Sequence, residues 1–197
     1  MSKLMLRRAI ILVLVVTGCL MVMPGVSGAQ VRAKYRGEYK ATLKSLKTAF
    51  DTYAQGYDNA KSASLQWADL IAATSDYDLR ISYEAQALSV YTATVGKPTE
   101  WNLSYAKVVK GFRAKASRYF VAVKQQTRFK TACSSLKANA GVLIQSANEH
   151  VYDSYQELGT EPPDYITSAA MIGFGDEDAA TGHEGFDKQF AALKALL

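Results

Sequence analysis

"YKATLKSLKTAFDTYAQGYDNAKSASLQWADLI", residues 39–71, decides the fold. Its seam residues fall at Tyr39, Leu43, Leu46, Phe50, Tyr53, Tyr57, Ala60, Ser64, Trp67 and Ile71, alternating by four and three. A half-buried strand would repeat every second residue, whereas this spacing returns to one face of an α-helix at every turn. Sustained over more than four heptads, it predicts one long helix of coiled-coil type. Gly56 is the one weak point, where the helix could kink.

The same period continues downstream. Ser75 or Asp76 suits an N-cap, and a second helix is predicted through Tyr77, Ile81, Ala85, Leu88 and Val95, stopping at Gly96-Lys97-Pro98. Thr99 would cap a third segment, with Glu100 suited to its positive end. The third seam runs Trp101, Tyr105, Val108, Phe112, Tyr119, Ala122, Phe129, Cys133, Leu136, Ala140, Leu143 and Ala147, interrupted by Lys115 and Gln126. One helix to about Leu158 fits the phase. A break near residues 125–128 closes a four-helix bundle more easily and is preferred.

After Leu158, "GTEPPDYITSAAMIGFGDEDAATGHEG" is rich in Gly, Pro, Ala and acids, and reads as an acidic strap over 159–183. Phe186, Phe190, Leu193 and Leu197 then mark a short amphipathic helix over 184–197. The expected fold is all-α: an elongated antiparallel bundle of three or four long helices over 30–158, followed by this strap and helix. Residues 30–197 suffice for one domain, large enough to bury about 70% of its unfolded surface.

Residues 1–29 read as an export signal. Lys3, Arg7 and Arg8 precede the apolar run "AIILVLVVTGCLMVM", and Ser27 and Ala29 suit cleavage before Gln30. "VTGC" at 16–19 resembles a bacterial lipobox, which would acylate Cys19 and tether the chain to a membrane. A retained anchor is the third alternative. The expected location is secreted, periplasmic or otherwise extracytoplasmic, with a membrane-anchored lipoprotein as the variant. Beyond Gln30 only Cys133 remains, so no disulfide framework is expected. Cys133 is either a buried thiol, the preferred reading, or an intermolecular bridge.

The charge pattern is the main functional signal. Residues 107–137 carry nine lysines and arginines and no acid. On a helical wheel over 107–124, Val108, Phe112, Ala116, Tyr119, Phe120 and Val123 gather on one side. Lys107, Lys110, Arg113, Arg118 and Lys124 occupy the other, a cationic stripe facing solvent. Like charges one turn apart repel slightly, so a one-signed run of this length calls for a counterpart. One counterpart is internal, the acidic strap around Asp176, Glu177 and Asp178. The other is an external polyanion: anionic lipid, envelope polysaccharide or an acidic protein. Nucleic acid fits least, because Tyr105 and Tyr119 lie on the seam and Phe120 borders it, so bases could not stack on them.

Catalytic signals are weak. His150 and Asp153 share a helix face at a spacing able to hold a metal, but no second Glu-x-x-His motif accompanies them. The acids near His183 do not match an EF-hand loop. "GFGDEDAATG" neither follows a strand nor opens a helix with a Lys-Ser/Thr pair, as a phosphate loop would. No catalytic residue, metal site or cofactor is expected. The many tyrosines, among them Tyr35, Tyr39, Tyr53 and Tyr57, fit a core whose hydroxyls need partners, or an adaptable groove for a client chain. "NLS" at 102–104 is a glycosylation sequon only if the source is eukaryotic. The sequence therefore points to a non-catalytic exported bundle that binds through Lys107, Lys110, Arg113, Arg118 and Lys124. The alternative is a structural protein self-assembling through its seams and C-terminal helix.

Overall fold

The computed structural model describes residues 31–160 and 162–197, and for residues 87–101 and 139 the backbone alone. The leader, the cut before Gln30 and the acylation site at Cys19 lie outside the described residues, as do the side chains of Leu88, Val95 and Trp101. A short 3-10 turn (Ala33–Tyr35) leads into α1 (Arg36–Ala73). Then follow α2 (Tyr77–Ala114), the single turn α3 (Ala116–Tyr119), α4 (Val123–Ser135), a π-helical segment (Leu136–Gly141), α5 (Val142–Leu158) and α6 (Tyr165–Lys194). No strand occurs among the described residues.

The opening seam is the buried face of α1. Tyr39, Leu43, Leu46, Phe50, Tyr53, Tyr57, Ser64 and Ile71 are buried, and Ala60 and Trp67 half-buried. Gly56 lies within the unbroken helix, also buried. Asp76 is the N-cap of α2, its carboxylate accepting from the Leu79 amide at 3.0 Å.

Three expectations need correction. First, α2 does not stop at Gly96-Lys97-Pro98, and Thr99 is interior to it rather than a cap. An interior proline removes one backbone hydrogen bond and costs about 3 kcal/mol. α2 nonetheless runs on through it, packed along α1, a neighbour of equal length.

Second, the break falls at residues 120–122 rather than 125–128. Phe120 and Ala122 take extended backbone (ψ 140° and 130°). The two residues that interrupted the seam are tied to the breaks between these helices. The Gln126 amide donates to the carbonyls of Phe120 and Val121, at 3.1 and 3.3 Å. Lys115 sits at the junction of α2 and α3 and reaches out to Glu38. Ala122 and Val123, expected on the buried side, are exposed as a consequence.

Third, the strap is a helix and the core does not end at Leu158. Asp164, after Pro162-Pro163, caps α6 by accepting from the Thr167 amide at 2.9 Å. Ser168, Ile172, Gly175, Ala179, Gly182, Phe186 and Leu193 are its buried face, a heptad seam built from small residues. Glycine costs about 0.5–1 kcal/mol in a helix, but here two glycines let α6 approach α5 closely. A Cβ at Gly175 would lie 3.0 Å from Tyr57 Oη and 3.2 Å from the Ala147 carbonyl; one at Gly182 would lie 3.2 Å from Leu143 Cβ.

One core joins all the helices. Tyr39, Phe112, Tyr119, Phe120 and Phe129 form an aromatic cluster, with Tyr39 and Phe112 ring centroids 5.0 Å apart. Phe50 stacks on Phe186 at 3.9 Å, and both rings neighbour Tyr105. Buried tyrosine hydroxyls bond across helices. Tyr39 donates to the Leu193 carbonyl at 2.9 Å, Tyr105 to Leu136 at 3.0 Å and Tyr53 to Gly141 at 3.2 Å. The last two carbonyls belong to the first and last residues of the π segment, where the shift from i+4 to i+5 bonding disturbs the backbone ladder. Further along, Ser154 Oγ lies 3.0 Å from Ser64 Oγ and 2.8 Å from Ser168 Oγ, joining α1, α5 and α6 through buried hydroxyls.

Candidate interaction surface

These contacts order the residues along the molecule. At one end the Val31 amide donates to the Leu196 carbonyl (2.8 Å) and the Arg32 amide to Tyr119 (3.1 Å). The aromatic cluster around Tyr39 comes next, and the Phe50–Tyr105–Phe186 group after it. Past the Tyr53–Gly141 contact lie Tyr57 with Asp176, then the three serines. At the far end Ile71, Ile81, Tyr155 and Leu158 line one cleft.

Charge divides along this order. Residues 31–52, 102–137 and 184–197, on the side of Val31, hold seventeen lysines and arginines against four acids. Residues 53–86, 138–160 and 162–183, on the other side, hold two against twelve. The first group includes every residue of the predicted stripe. Lys107, Lys110 and Arg113 lie on α2, Arg118 on α3 and Lys124 on α4, and all five are exposed. Among the described residues Lys107, Lys110, Arg113 and Lys124 have no ion-pair partner.

Arg118 does have partners. Its Nε lies 3.2 Å from Glu38 Oε2, and its guanidinium stands 4.8 Å over the Tyr35 ring. Lys115 Nζ meets Glu38 Oε1 at 2.8 Å, and Tyr119 donates to the same oxygen at 3.3 Å. The hydrogen bond from Lys115, with the Arg118 charge beside it, holds the Glu38 carboxyl below the usual carboxylate range. The hydrogen bond from Lys34, aided by nearby Arg118 and Arg32, lowers the Tyr35 phenol. No sequence periodicity paired Glu38 or Tyr35 with Arg118, because these partners lie about eighty positions apart.

Two of the three acids named as internal counterpart, Asp176 and Asp178, have other partners. Asp176 accepts from Lys61 Nζ, 2.7 Å from each carboxylate oxygen, and from Tyr57 at 2.9 Å. Burial alone would raise its carboxyl; the Lys61 and Tyr57 bonds outweigh that and hold it below its ordinary range. Asp178 lies 3.5 Å from His150 Nε2, and bonds from His150 and Ser146 likewise overcome its burial. Glu177 is exposed.

Between α1 and α2, in the basic half, a shallow groove of about 410 Å³ is lined by Lys44, Ser45, Thr48, Ala49, Thr52 and Ser104. Hydroxyls beside an ammonium suit a polar, anionic ligand. The far-end cleft, about 500 Å³, is mostly apolar.

The remaining sequence candidates do not converge. His150 faces Phe174 and Asp178, while His183 packs edge-on against Phe50. No group of three metal-ligating side chains occurs among the described residues. Cys133 is buried, and burial pushes its thiol up to about 12, with Arg113 opposing weakly. No described helix is long and apolar enough to cross a membrane. The chain matches no family model, no curated protein and no solved structure.

Proposed function

We propose that the protein is an exported, non-catalytic binding module, an elongated antiparallel bundle of four long helical rods. Its cationic half holds an anionic envelope component or an acidic protein. The supporting observation is the segregation of charge along the molecule, with Lys107, Lys110, Arg113 and Lys124 exposed and unpaired among the described residues. Crowding like charges on one half disfavours the compact state, so the arrangement has a physical rationale if a partner neutralises it. Asp176 and Asp178 of α6 engage Lys61 and His150 instead of that face. The hydroxyl-lined groove beside Lys44 adds hydrogen-bonding capacity to the same half.

Self-assembly through the seams has less support. The α1 seam, Phe186 and Leu193 are already buried within the chain's own core.

The test is retention on an immobilised soluble polyanion across a salt series. Wild-type protein should elute late and with a steep salt dependence, and Lys107→Glu/Lys110→Glu/Arg113→Glu should elute far earlier with unchanged helicity. Equal retention of the two proteins at every salt concentration would remove the basic face from consideration.

A further inference from the structure

The basic half ends in an apolar tip. Val121 and Val123, in and just after the turn between α3 and α4, are each 75% exposed. Exposed valines are ordinary one at a time, but here two sit in and beside one turn whose neighbouring charges are mostly cationic. Arg118 precedes them, Lys124 and Arg128 follow on α4, and exposed Arg32 and Lys34 stand on the adjoining segment, tied to this end by the Arg32–Tyr119 backbone bond. The nearby acid, Glu38, is engaged by Lys115 and Arg118. The chain also enters the fold here, since Val31 is buried at this end against Leu196. The first described residue, Val31, therefore lies at the cationic tip.

We infer that this tip docks end-on against an anionic lipid surface, with Val121 and Val123 entering the interface and the surrounding cations meeting lipid head groups. Apolar side chains ringed by Lys and Arg suit the boundary between acyl chains and head groups, where long cationic side chains keep their charges in the polar layer. An anionic surface attracts this end and repels the acid-rich far end, which selects an upright orientation over a flat one. The inference rests on the basic-face reading and names lipid as its partner. A leader retained, or acylated at Cys19, would hold the same end toward the bilayer.

The experiment uses residues 30–197, which contain every described core residue, and vesicles of phosphatidylcholine with or without phosphatidylglycerol. An environment-sensitive dye is placed by Val123→Cys; the native thiol Cys133 is buried. Vesicles containing phosphatidylglycerol should shift the dye emission to the blue, and phosphatidylcholine alone should not. Val121→Ser/Val123→Ser, both at exposed positions, should lower partitioning by about tenfold. Vesicle binding without a blue shift, and indifferent to the serine pair, would overturn insertion and leave a flat electrostatic contact. Failure to bind vesicles alongside retained polyanion binding would overturn the lipid assignment while sparing the basic face; failure of both removes both. A salt-sensitive blue shift without vesicles would instead seat the tip in the far-end cleft of a second copy and overturn the lipid proposal.

Discussion

Gly175 of α6 lies so close to Tyr57 of α1 that a Cβ on the glycine would stand 3.0 Å from the phenolic oxygen. The Ala147 carbonyl, 3.2 Å from the same point, is backbone and cannot rotate away. Gly175→Ala should therefore destabilise by about 1–3 kcal/mol, as overpacking does. Gly173, two residues earlier, meets nothing within 4 Å, so Gly173→Ala should stabilise by about 0.5–1 kcal/mol through helix propensity alone. Chemical denaturation of both variants measures the opposition. Equal effects of one sign would mean that α6 does not pack against α5 through its glycines.

The same pair explains why α6 was illegible in the sequence. The α1 seam could be read because its positions hold Tyr, Leu and Phe, which show the heptad plainly. In α6 the heptad runs through Ser168, Gly175 and Gly182, residues that elsewhere mark turns, so close helix packing and loop composition look alike. Pro98 misled in the same direction. Local propensity argues for a stop there, and only the long partner helix argues against it.

Tyr105 donates to the carbonyl of Leu136, which opens the π segment. Tyr105→Phe keeps the ring and leaves that buried carbonyl without the hydroxyl, a loss of about 1–2 kcal/mol. Tyr77→Phe, at an exposed position, should stay within about 0.5 kcal/mol of wild type. Denaturation midpoints compare them; matching midpoints would mean the buried hydroxyl adds no stability.

Cys133 should react with an alkylating reagent only as fast as the fold opens. It is buried, and burial pushes its thiol up to about 12, leaving little thiolate at neutral pH. Labelling should accelerate steeply with denaturant, in step with loss of helicity. Rapid labelling of the folded protein would contradict this burial and reopen the alternative of an intermolecular bridge.

Of the interaction surface, the five cations could be read in the sequence as the polar side of a seam. Their separation from the acids could not, because it depends on which residues share a level after folding. Asp176 and Lys61 are 115 positions apart, and only the approach of α6 to α1 joins them.

That pair predicts part of the acid sensitivity. The Asp176 carboxyl is held below its ordinary range in the folded state, so the unfolded chain takes up the proton first as pH falls. Its contribution is fully present above the unfolded value of about 4 and is lost as pH drops through the lower folded value. Because its side chain is 47% exposed, solvent screening limits the contribution to below about 1 kcal/mol. Asp176→Asn should be slightly less stable than wild type near neutrality, and the gap should close as the medium is acidified. Melting temperatures measured from about pH 6 to about pH 3 follow that convergence. A gap constant across the range would mean that Lys61 and Asp176 are not paired in solution.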